Sequence, residues 1–306
     1  MQKFLIIQTS FIGDVVLATA LAEKLHHQFP EAQIDFLVRK GNETLFTGHP
    51  FIKQVWVWNK KNNKFRNLIK LANKIRREHY GEVINLQRYF STGLLTILSG
   101  AKTKRGFDKN PLSFFFQVKK NHMISAEGNE HEIERNQQLI SDISGHVPAL
   151  PRLYPQQNDI QHVAGLKNTP YICCAPASVW FTKQYPKSKW IEFIQKVPGD
   201  IPVYLLGGPD DSLLCDEIVQ GSGNPRAQSL CGKLSYLASA ALMKDALMNY
   251  VNDSAPMHFA SAVNAPVTAI YCSTVTNFGY GPLSDVKHIV EINYPLHCRP
   301  CGLHGY

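Results

Sequence analysis

The chain has 306 residues, of which 44% are hydrophobic and 18% charged, a balance typical of a well-cored globular protein and not of a disordered one. This length is more than one hydrophobic core usually fills, so we expect two domains. The formal net charge of +8 favours an acidic partner, which could be a nucleic acid, a phosphorylated small molecule or an anionic membrane surface.

The sequence carries no sign of export or of membrane insertion. Its beginning, FLIIQTSFIGD, breaks into a strand and a turn instead of forming the apolar segment of a signal peptide. No other apolar run is long enough to span a membrane. Seven cysteines, an odd number, fit reduced thiols better than a disulfide framework, so we expect a cytoplasmic protein.

Apolar strand-like runs alternate with helical patterns along the first half of the chain. Strands separated by helices are typical of βαβ units and a parallel sheet. The strands are expected at KFLIIQT, QIDFLV, QVWVW and EVINLQ, and the helices at 14–28, 65–78 and 90–98, with a short helix after the second strand and a last helix at HEIERNQQLISDI.

The alternation starts again after a proline-bearing, weakly periodic stretch. Strands are expected at PYICCA, PVYLLGG, ALMNYV, PVTAIYC and HIVEIN, with helices near 188–196, 210–219, 234–244 and 254–263. The pattern predicts an α/β protein with two Rossmann-like, doubly wound parallel-sheet domains at 1–150 and 169–306, joined by a linker at 151–168. Ligands of such folds bind at the carboxyl ends of the strands.

Three common nucleotide-binding signatures are absent from the sequence. No GxGxxG follows the first strand of either half and no GxxxxGK precedes a Ser or Thr, which argues against a dinucleotide-dependent dehydrogenase and a P-loop kinase or ATPase. There is also no Asp-x-Asp pair to hold a divalent cation against a nucleotide diphosphate. We therefore expect no metal and no cofactor, with protein cations and backbone amides meeting any diphosphate.

An acidic residue stands in the turn after the first strand, where a nucleotide-binding fold would usually receive phosphate. The turn, QTSFIGD, contains Ser10, Gly13 and Asp14. Asp14 could cap the following helix. Alternatively, it could be a general base that takes a proton from an acceptor hydroxyl as this hydroxyl attacks a sugar carbon. The first domain would then hold the acceptor, with Ser10 and Gly13 at its site.

The loop APASVWFTKQYPKSKW, at 175–190, follows the first strand of the second half. Lys183 lies there between two prolines, where its ammonium group could meet a leaving diphosphate or could simply be solvated. Ser178 and Thr182 could donate hydrogen bonds to the same diphosphate.

The segment VNDSAPMHFASAV, at 251–263, predicts a strand end, a turn and a capped helix. Asp253 lies in the turn, and Ser254 is a plausible N-cap of a helix whose N-terminus could bind a phosphate. His258 lies one turn further on the same side of the helix. The alternative is an ordinary capped helix with a packed histidine.

Two weaker motifs lie elsewhere in the second half. In LLGGPDD, Asp210 or Asp211 could cap a helix or accept hydrogen bonds from ribose or sugar hydroxyls. In HCRPCGLH, the side chains of Cys298, Cys301 and His304 could bind a metal, but the spacing lacks a second ligand pair and favours free thiols.

Together these segments resemble the ADP-heptose:lipopolysaccharide heptosyltransferases, glycosyltransferase family nine. The similarity comprises QTSFIGDVV, HEIERN, PASVWFTKQYP, LLGGPDD and NDSAPMHFASAV, in this order over most of the chain. The resemblance implies the GT-B fold, in which two Rossmann-like domains face each other across a cleft. It also implies inverting, metal-independent transfer of heptose from ADP-heptose to the lipopolysaccharide inner core, at the cytoplasmic surface of the inner membrane.

The resemblance further implies roles for individual residues. Asp14 matches the family's catalytic base, and Lys183 matches the lysine that contacts the donor phosphates. Asp253 matches the donor-binding aspartate, Ser254 the hydroxyl beside it, and His258 the helix histidine near the diphosphate.

The chain departs from the family pattern at two positions, where Ala255 and Ala177 replace glycine. A methyl group could shift a pocket in which the backbone approaches phosphate, and alanine would be strained if either position needed a positive φ. These departures allow a different nucleotide-sugar donor.

An anionic lipid A-core acceptor at the inner-membrane surface would explain the basic stretches at 59–70 and 101–109. Three interpretations stay open: a heptosyltransferase, the same chemistry with another nucleotide sugar, and a non-catalytic protein that binds a nucleotide or a glycolipid. No nucleic-acid partner is expected, because no binding module or aromatic-basic repeat is visible. The candidate acceptor contacts are Arg88, Lys102, Lys104 and Arg105.

Overall fold

The structure, a computed structural model, describes residues 2–61 and 63–303. The chain divides into two compact units. Unit 1 comprises the chain up to Ile124 together with Glu130–Arg152, and unit 2 comprises Ser125–Asn129 together with the chain from Leu153 onward. Each unit contains one six-stranded parallel sheet, which confirms the predicted α/β class with two doubly wound sheets.

The sheet of unit 1 has the strand order β3-β2-β1-β4-β5-β6, and all its pairs are parallel. The central strand is buried from Phe4 to Ile7 because helices cover both faces of such a sheet. The strands are β1 (Lys3–Ile7), β2 (Gln33–Arg39), β3 (Ile52–Trp58), β4 (Glu82–Asn85), β5 (Thr103–Phe107) and β6 (Val118–Lys120). The helices are α1 (Ile12–Gln28), α2 (Lys64–Arg77), α3 (Phe90–Leu98), α4 (Glu132–Gln138) and α5 (Ser141–Ser144).

The connections of unit 1 place its helices in two groups. The crossover through α1 runs from β1 towards the β3 edge, whereas those through α2 and α3 run towards β6, so right-handed crossovers put them on opposite faces. In agreement, α1 packs with α4 and α5, and α2 packs with α3.

The sheet of unit 2 repeats this pattern with the order β12-β11-β10-β7-β8-β9. All its strand pairs are parallel. The strands are β7 (Ile172–Ala175), β8 (Val203–Leu205), β9 (Ala227–Ser229), β10 (Met248–Asn252), β11 (Val267–Ile270) and β12 (Lys287–Val290). The helices are α6 (Gln157–Ala164), α7 (Lys187–Gln195), α8 (Ser212–Ser222), α9 (Tyr236–Lys244) and α10 (Ala255–Ala262).

The structure adds elements that the sequence pattern does not predict. Strands β5, β6 and β9 read TKRGF, VKK and AQS, which are too short or too polar to stand out as apolar runs. The helix α6 lies inside the predicted linker at 151–168, and the helix expected at HEIERNQQLISDI is divided into α4 and α5.

A buried carboxylate joins β2 to β3 and to the chain that precedes β4. Asp35 has no exposed surface, and its carboxylate accepts hydrogen bonds from the Tyr80 hydroxyl at 2.5 Å, Gln33 Nε2 at 2.9 Å and the Gln54 amide at 3.1 Å. Trp56 Nε1 in turn donates to the Tyr80 hydroxyl at 2.8 Å. Burial raises the pKa of Asp35, although the three bonds favour its ionised form.

A buried guanidinium holds β5 against β4 and α5. Arg105 Nε lies 2.5 Å from Glu82 Oε2, and its Nη1 lies 2.6 Å from Asp142 Oδ1 and 3.0 Å from the Leu139 carbonyl oxygen. Only 4% of the Arg105 side chain is exposed. The side chain therefore contributes to the core of unit 1 and is not available to an acceptor.

We expect Tyr80→Phe to lower the free energy of unfolding by about 1–3 kcal/mol, because it removes a donor from the buried Asp35 carboxylate. Urea unfolding of the purified protein measures this change. The matched control is Tyr294→Phe, at an exposed tyrosine, which should change stability by less than about 0.5 kcal/mol. Equal effects of the two substitutions would contradict the role given to the Asp35 network.

We expect Arg105→Met to cost about 3 kcal/mol of stability, because it leaves the largely buried Glu82 carboxylate without its partner. Lys102→Met, at an exposed residue just before β5, should cost less than about 0.5 kcal/mol. Thermal and urea unfolding of both variants test this difference. A stable Arg105→Met protein would show that the guanidinium is dispensable for the fold.

Candidate functional site

The first candidate residue, Asp14, is the third residue of α1 and not its N-cap. Phe11 occupies the N-cap position, with no side-chain cap. The Asp14 carboxylate accepts hydrogen bonds from the Ser10 side chain and from the Phe11 backbone N–H. Asp14 thus bonds back to the first turn, as an N3 acid does in a capping box, while its side chain stays at the carboxyl edge of the sheet.

Burial raises the pKa of Asp14 to about 6. The bonds from Ser10 and Phe11 and the charge of Arg39 act in the opposite direction, whereas the nearby carboxylate of Glu132 adds to the rise. Glu132 is the first residue of α4, and α4 packs against α1. A carboxylate with this pKa is mostly ionised at neutral pH and is more basic than an ordinary aspartate, as a general base requires.

A positively charged pocket lies at the same edge of unit 1. It has a volume of about 260 Å³ and includes Ser10 and Phe11, the two residues that bond Asp14. Cationic and aromatic side chains supply most of the rest. The lining consists of Thr9, Ser10, Phe11, Arg39, Trp58, Lys60, Lys64, Tyr89 and Ser91.

Lys60 is a half-buried cation of the pocket. Its Nζ donates to the Thr9 carbonyl oxygen at 2.7 Å and lies 4.9 Å from the Trp58 ring centroid. Burial, together with the charges of Arg39 and Lys64, lowers its pKa to about 8. Three cations crowded around one pocket suit a carboxylate or phosphate group, which would relieve their mutual repulsion.

Only part of the predicted acceptor set lies at this edge. Ser10, Gly13 and Arg88 follow the carboxyl ends of β1 and β4, and the Arg88 guanidinium lies 5.7 Å from the Tyr89 ring centroid. Lys102 instead precedes β5 and Lys104 is its second residue, so both lie towards the amino end of a parallel strand. We therefore no longer count Lys102, Lys104 or the buried Arg105 among the acceptor contacts.

In unit 2 the structure brings Lys183 and Asp253 together. Lys183 Nζ lies 2.7 Å from Asp253 Oδ2, which also accepts a 2.6 Å bond from the Thr274 hydroxyl. Only 13% of the Lys183 side chain and 8% of the Asp253 side chain are exposed. The loop lysine is therefore held in place by the turn after β10, and it is not simply solvated.

Asn252, the last residue of β10, anchors the loop that carries Lys183. Its Nδ2 donates to the Pro176 carbonyl oxygen at 2.7 Å, and its Oδ1 accepts from the Tyr185 amide at 3.1 Å. Ser178 and Thr182 are half-buried in this anchored loop. The loop and the β10 turn therefore form one local structure at the carboxyl edge of unit 2.

The helix after β10 begins as the sequence predicts. Ser254 is the N-cap of α10, although its side chain makes no cap bond, and Ala255 is the first helical residue. Among the described residues, the non-glycine residues with positive φ do not include Ala255 or Ala177, so neither alanine is strained. His258 is buried within α10.

Asp211 bonds the glycine turn that precedes it. Its Oδ2 accepts from the Gly208 amide at 2.8 Å and closes the 3-10 turn Pro209–Asp211, and Asp211 is the N-cap residue of α8 without a side-chain cap bond to that helix. A Cβ at Gly207 would lie 2.9 Å from Asp211 Oδ2 and 2.9 Å from Cys231 Sγ, so the turn requires glycine at that position.

The cysteine-bearing tail gives no sign of a metal centre. Within residues 2–61 and 63–303, no group of three or more His, Cys, Asp or Glu side chains could hold a metal ion. Cys298 and Cys301 are free thiols, and His304 lies outside the described residues.

In the same described ranges, no helix has the length and apolar character needed to cross a membrane.

Sequence reasoning missed several residues of these sites. The stretch 59–70 was recognised as basic, but the pocket formed by Lys60 and Lys64 with Arg39 depends on the adjacency of β2 and β3. HEIERN was recognised as a motif without a role for Glu132. Thr274, in the segment after β11, carried no sequence signal at all.

Comparison with known proteins identifies the family to which the chain belongs. The model of glycosyltransferase family 9 (heptosyltransferase) matches residues 68–302. Lipopolysaccharide heptosyltransferase 3 of Escherichia coli is 26% identical over 280 residues, which cover 86% of this chain and 82% of that protein.

Two solved structures share the fold. The Escherichia coli ADP-heptose lipopolysaccharide heptosyltransferase II has a TM-score of 0.81 at 20% identity and covers 96% of this chain and 92% of its own. An Escherichia coli heptosyltransferase solved with ADP-2-deoxy-2-fluoro heptose has a TM-score of 0.72 at 19% identity, with coverage of 94% and 93%.

The family match extends over well more than half of the chain and includes Lys183, Asp253 and Ser254, whereas Asp14 precedes it. The chain is therefore a glycosyltransferase that belongs to glycosyltransferase family 9, the heptosyltransferase family.

Proposed function

We propose that the protein transfers heptose from ADP-heptose to the inner core of lipopolysaccharide, in one displacement with inversion and without a metal ion. The observation that carries the proposal is Asp14, a carboxylate with a raised pKa beside a cationic pocket at a strand carboxyl edge. The names of the relatives support both substrates, because they describe lipopolysaccharide heptosyltransferases and an ADP-heptose analogue complex.

Unit 1 holds the acceptor in this proposal. Asp14 accepts the proton of an acceptor hydroxyl while the hydroxyl oxygen forms its bond to the anomeric carbon of heptose. Ser10 keeps the carboxylate oriented through its hydrogen bond. Burial raises the proton affinity of the Asp14 carboxylate, which nevertheless stays mostly ionised at neutral pH.

The cationic pocket binds an acidic group of the lipid A-core acceptor. A carboxylate or phosphate of this acceptor would meet Arg39, Lys60 and Lys64, whose charges already crowd one another. Arg88 lies at the same edge and can extend the contact. The acceptor hydroxyl is thereby fixed near Ser10 and Asp14.

Unit 2 holds the donor. As the bond from the anomeric carbon to ADP breaks, negative charge develops on the leaving diphosphate, and the Lys183 ammonium and the α10 N-terminus at Ser254 stabilise it. Asp253 keeps Lys183 in position, with Thr274 bonded to the same carboxylate oxygen. These groups provide the charge that a divalent cation supplies in glycosyltransferases with an Asp-x-Asp pair.

Four further residues complete the donor site. Ser178 and Thr182 donate hydrogen bonds from the anchored loop, and His258 lies one turn into α10 near the diphosphate. Asp211 bonds the Gly208 turn, and its carboxylate can accept from a donor hydroxyl.

We expect Asp14→Asn to lower kcat by about a hundred- to ten-thousandfold while ADP binding stays nearly unchanged, because the substitution removes the base but not the donor site. In the wild type, kcat/KM should fall about tenfold per pH unit below about pH 6, as Asp14 takes up a proton, and level off above it. Rates measured from pH 5 to 9 test both statements.

The matched control is Asp108→Asn, at an exposed aspartate after β5, which should keep the wild-type rate and pH profile. Retained turnover in Asp14→Asn, or an acid limb that survives in that variant, would remove Asp14 as the base.

Titration calorimetry in EDTA with ADP-heptose, ADP-glucose and UDP-sugars tests the donor. We expect ADP-heptose to bind best, and Lys183→Met to weaken that binding about tenfold or more, because a charged hydrogen-bond donor is lost. Lys196→Met, at an exposed lysine of unit 2, should leave affinity unchanged. Preference for another nucleotide sugar would assign a different donor, as Ala255 and Ala177 allow.

A further inference from the structure

The charged residues on the outward face of α2 are all basic. Its inward face packs through Leu68, Leu71, Ala72 and Ile75, and the helix contains no acidic residue. The absence of acids leaves the positive charge uncompensated along four turns of surface. The cations are Lys64, Arg66, Lys70, Lys74, Arg76 and Arg77.

Four phenylalanine side chains of unit 1 are exposed, one of them on this basic helix and one at the start of α3, which packs against it. Phe65 and Phe114 are 65% and 66% exposed, and Phe90 and Phe115 are 53% and 48% exposed. The rings of Phe114 and Phe115 form a pair with centroids 4.0 Å apart. Several exposed phenylalanines in one region mark an interaction surface, since single ones are normal on proteins but clusters are not.

The topology gathers these residues at one edge of unit 1. Phe65 follows β3, Phe90 follows β4, and Phe114 and Phe115 follow β5, so all four lie beyond strand carboxyl ends. Two observations show that α2, α3 and the segment after β5 are neighbours. Helices α2 and α3 pack against each other, and a Cβ at Gly93 of α3 would lie 3.1 Å from Leu112 Cβ, just before the phenylalanine pair.

We propose that this aromatic-basic edge, defined as Phe65, Arg66, Lys70, Phe90, Phe114 and Phe115, docks on the surface of an anionic phospholipid bilayer. Phenylalanine rings enter the boundary between headgroups and acyl chains, while arginine and lysine side chains meet the lipid phosphates. In this arrangement the protein is attached to the bilayer surface as a peripheral membrane protein.

Charge distinguishes a bilayer from the other obvious occupant, a second copy of the chain. A two-fold contact would set the same patch against itself and bring cation against cation. An anionic bilayer instead offers negative charge over the whole area of the patch together with an apolar layer for the rings.

The position of the edge also fits the acceptor, in a step that rests on the proposed function. Lys64 and Tyr89 line the cationic pocket, and they are the immediate neighbours of Phe65 and Phe90. A protein docked through this edge would turn the pocket towards the membrane that carries a lipid-anchored acceptor. The sugar could then reach Asp14 while its acyl chains stay in the bilayer.

Vesicle sedimentation without any acceptor tests the docking itself. The full chain should bind vesicles of phosphatidylglycerol and phosphatidylethanolamine and bind pure phosphatidylcholine vesicles weakly. We expect Arg66→Glu with Lys70→Glu to weaken anionic-vesicle binding at least about tenfold, since each basic residue near such a surface contributes substantially. The control, Lys53→Glu with Lys119→Glu, makes the same charge change at exposed lysines on the outer strands of the same sheet and should retain binding.

The aromatic part has its own pair of variants. Phe65→Ser with Phe114→Ser should lose the binding that persists at high salt, whereas Leu213→Ser with Leu247→Ser, at exposed leucines of unit 2, should not. Equal losses in test and control variants would overturn the proposal, as would edge variants that abolish self-association instead of vesicle binding.

Turnover with an acceptor whose acyl chains have been removed separates the two proposals. The edge variants should keep wild-type turnover on this water-soluble acceptor if only docking is lost. Vesicle binding without turnover by the wild type would overturn the proposed function and leave the docking surface standing.

Discussion

The parallel arrangement of both sheets is the constraint on which every candidate site depends. Because all strands of a unit run in one direction, their carboxyl ends share an edge, and the segments that follow them are brought together regardless of their separation in sequence. Asp14, Lys60 and Tyr89 follow three different strands of unit 1, and Lys183 and Asp253 follow two neighbouring strands of unit 2. The chemistry of each unit lies where this rule places it.

The same rule explains what sequence reasoning could predict and where it failed. The buried strands and amphipathic helices gave a periodic signal, so the doubly wound class and the turn at Asp14 were predictable. Lys102, Lys104 and Arg105 were grouped because they are close in sequence, yet a strand begins between them and Arg105 turns into the core. Without β5, which is too polar to be recognised as a strand, their edge could not be assigned.

Electrostatic properties of the sites depend on residues that no local pattern connects. The raised pKa of Asp14 reflects burial, a bond from a neighbour four residues away and a carboxylate on α4, more than a hundred residues later. Likewise, Thr274 comes from the segment after β11 to share the Asp253 oxygen with Lys183. Such contributions follow from packing and become visible only once the helices and strands are assembled.

The candidate sites of the two units differ in how their lysines are neutralised. In unit 2 Lys183 is paired with the Asp253 carboxylate at 2.7 Å, which fixes the lysine in place and reduces its attraction for any other anion. In unit 1 the cations of the pocket repel one another, and this repulsion helps lower the pKa of Lys60 to about 8. An anion in this pocket would relieve that repulsion and favour the charged lysine, so binding of an anion and protonation of Lys60 would support each other. Mutual repulsion among the pocket cations therefore favours acidic ligands over neutral ones.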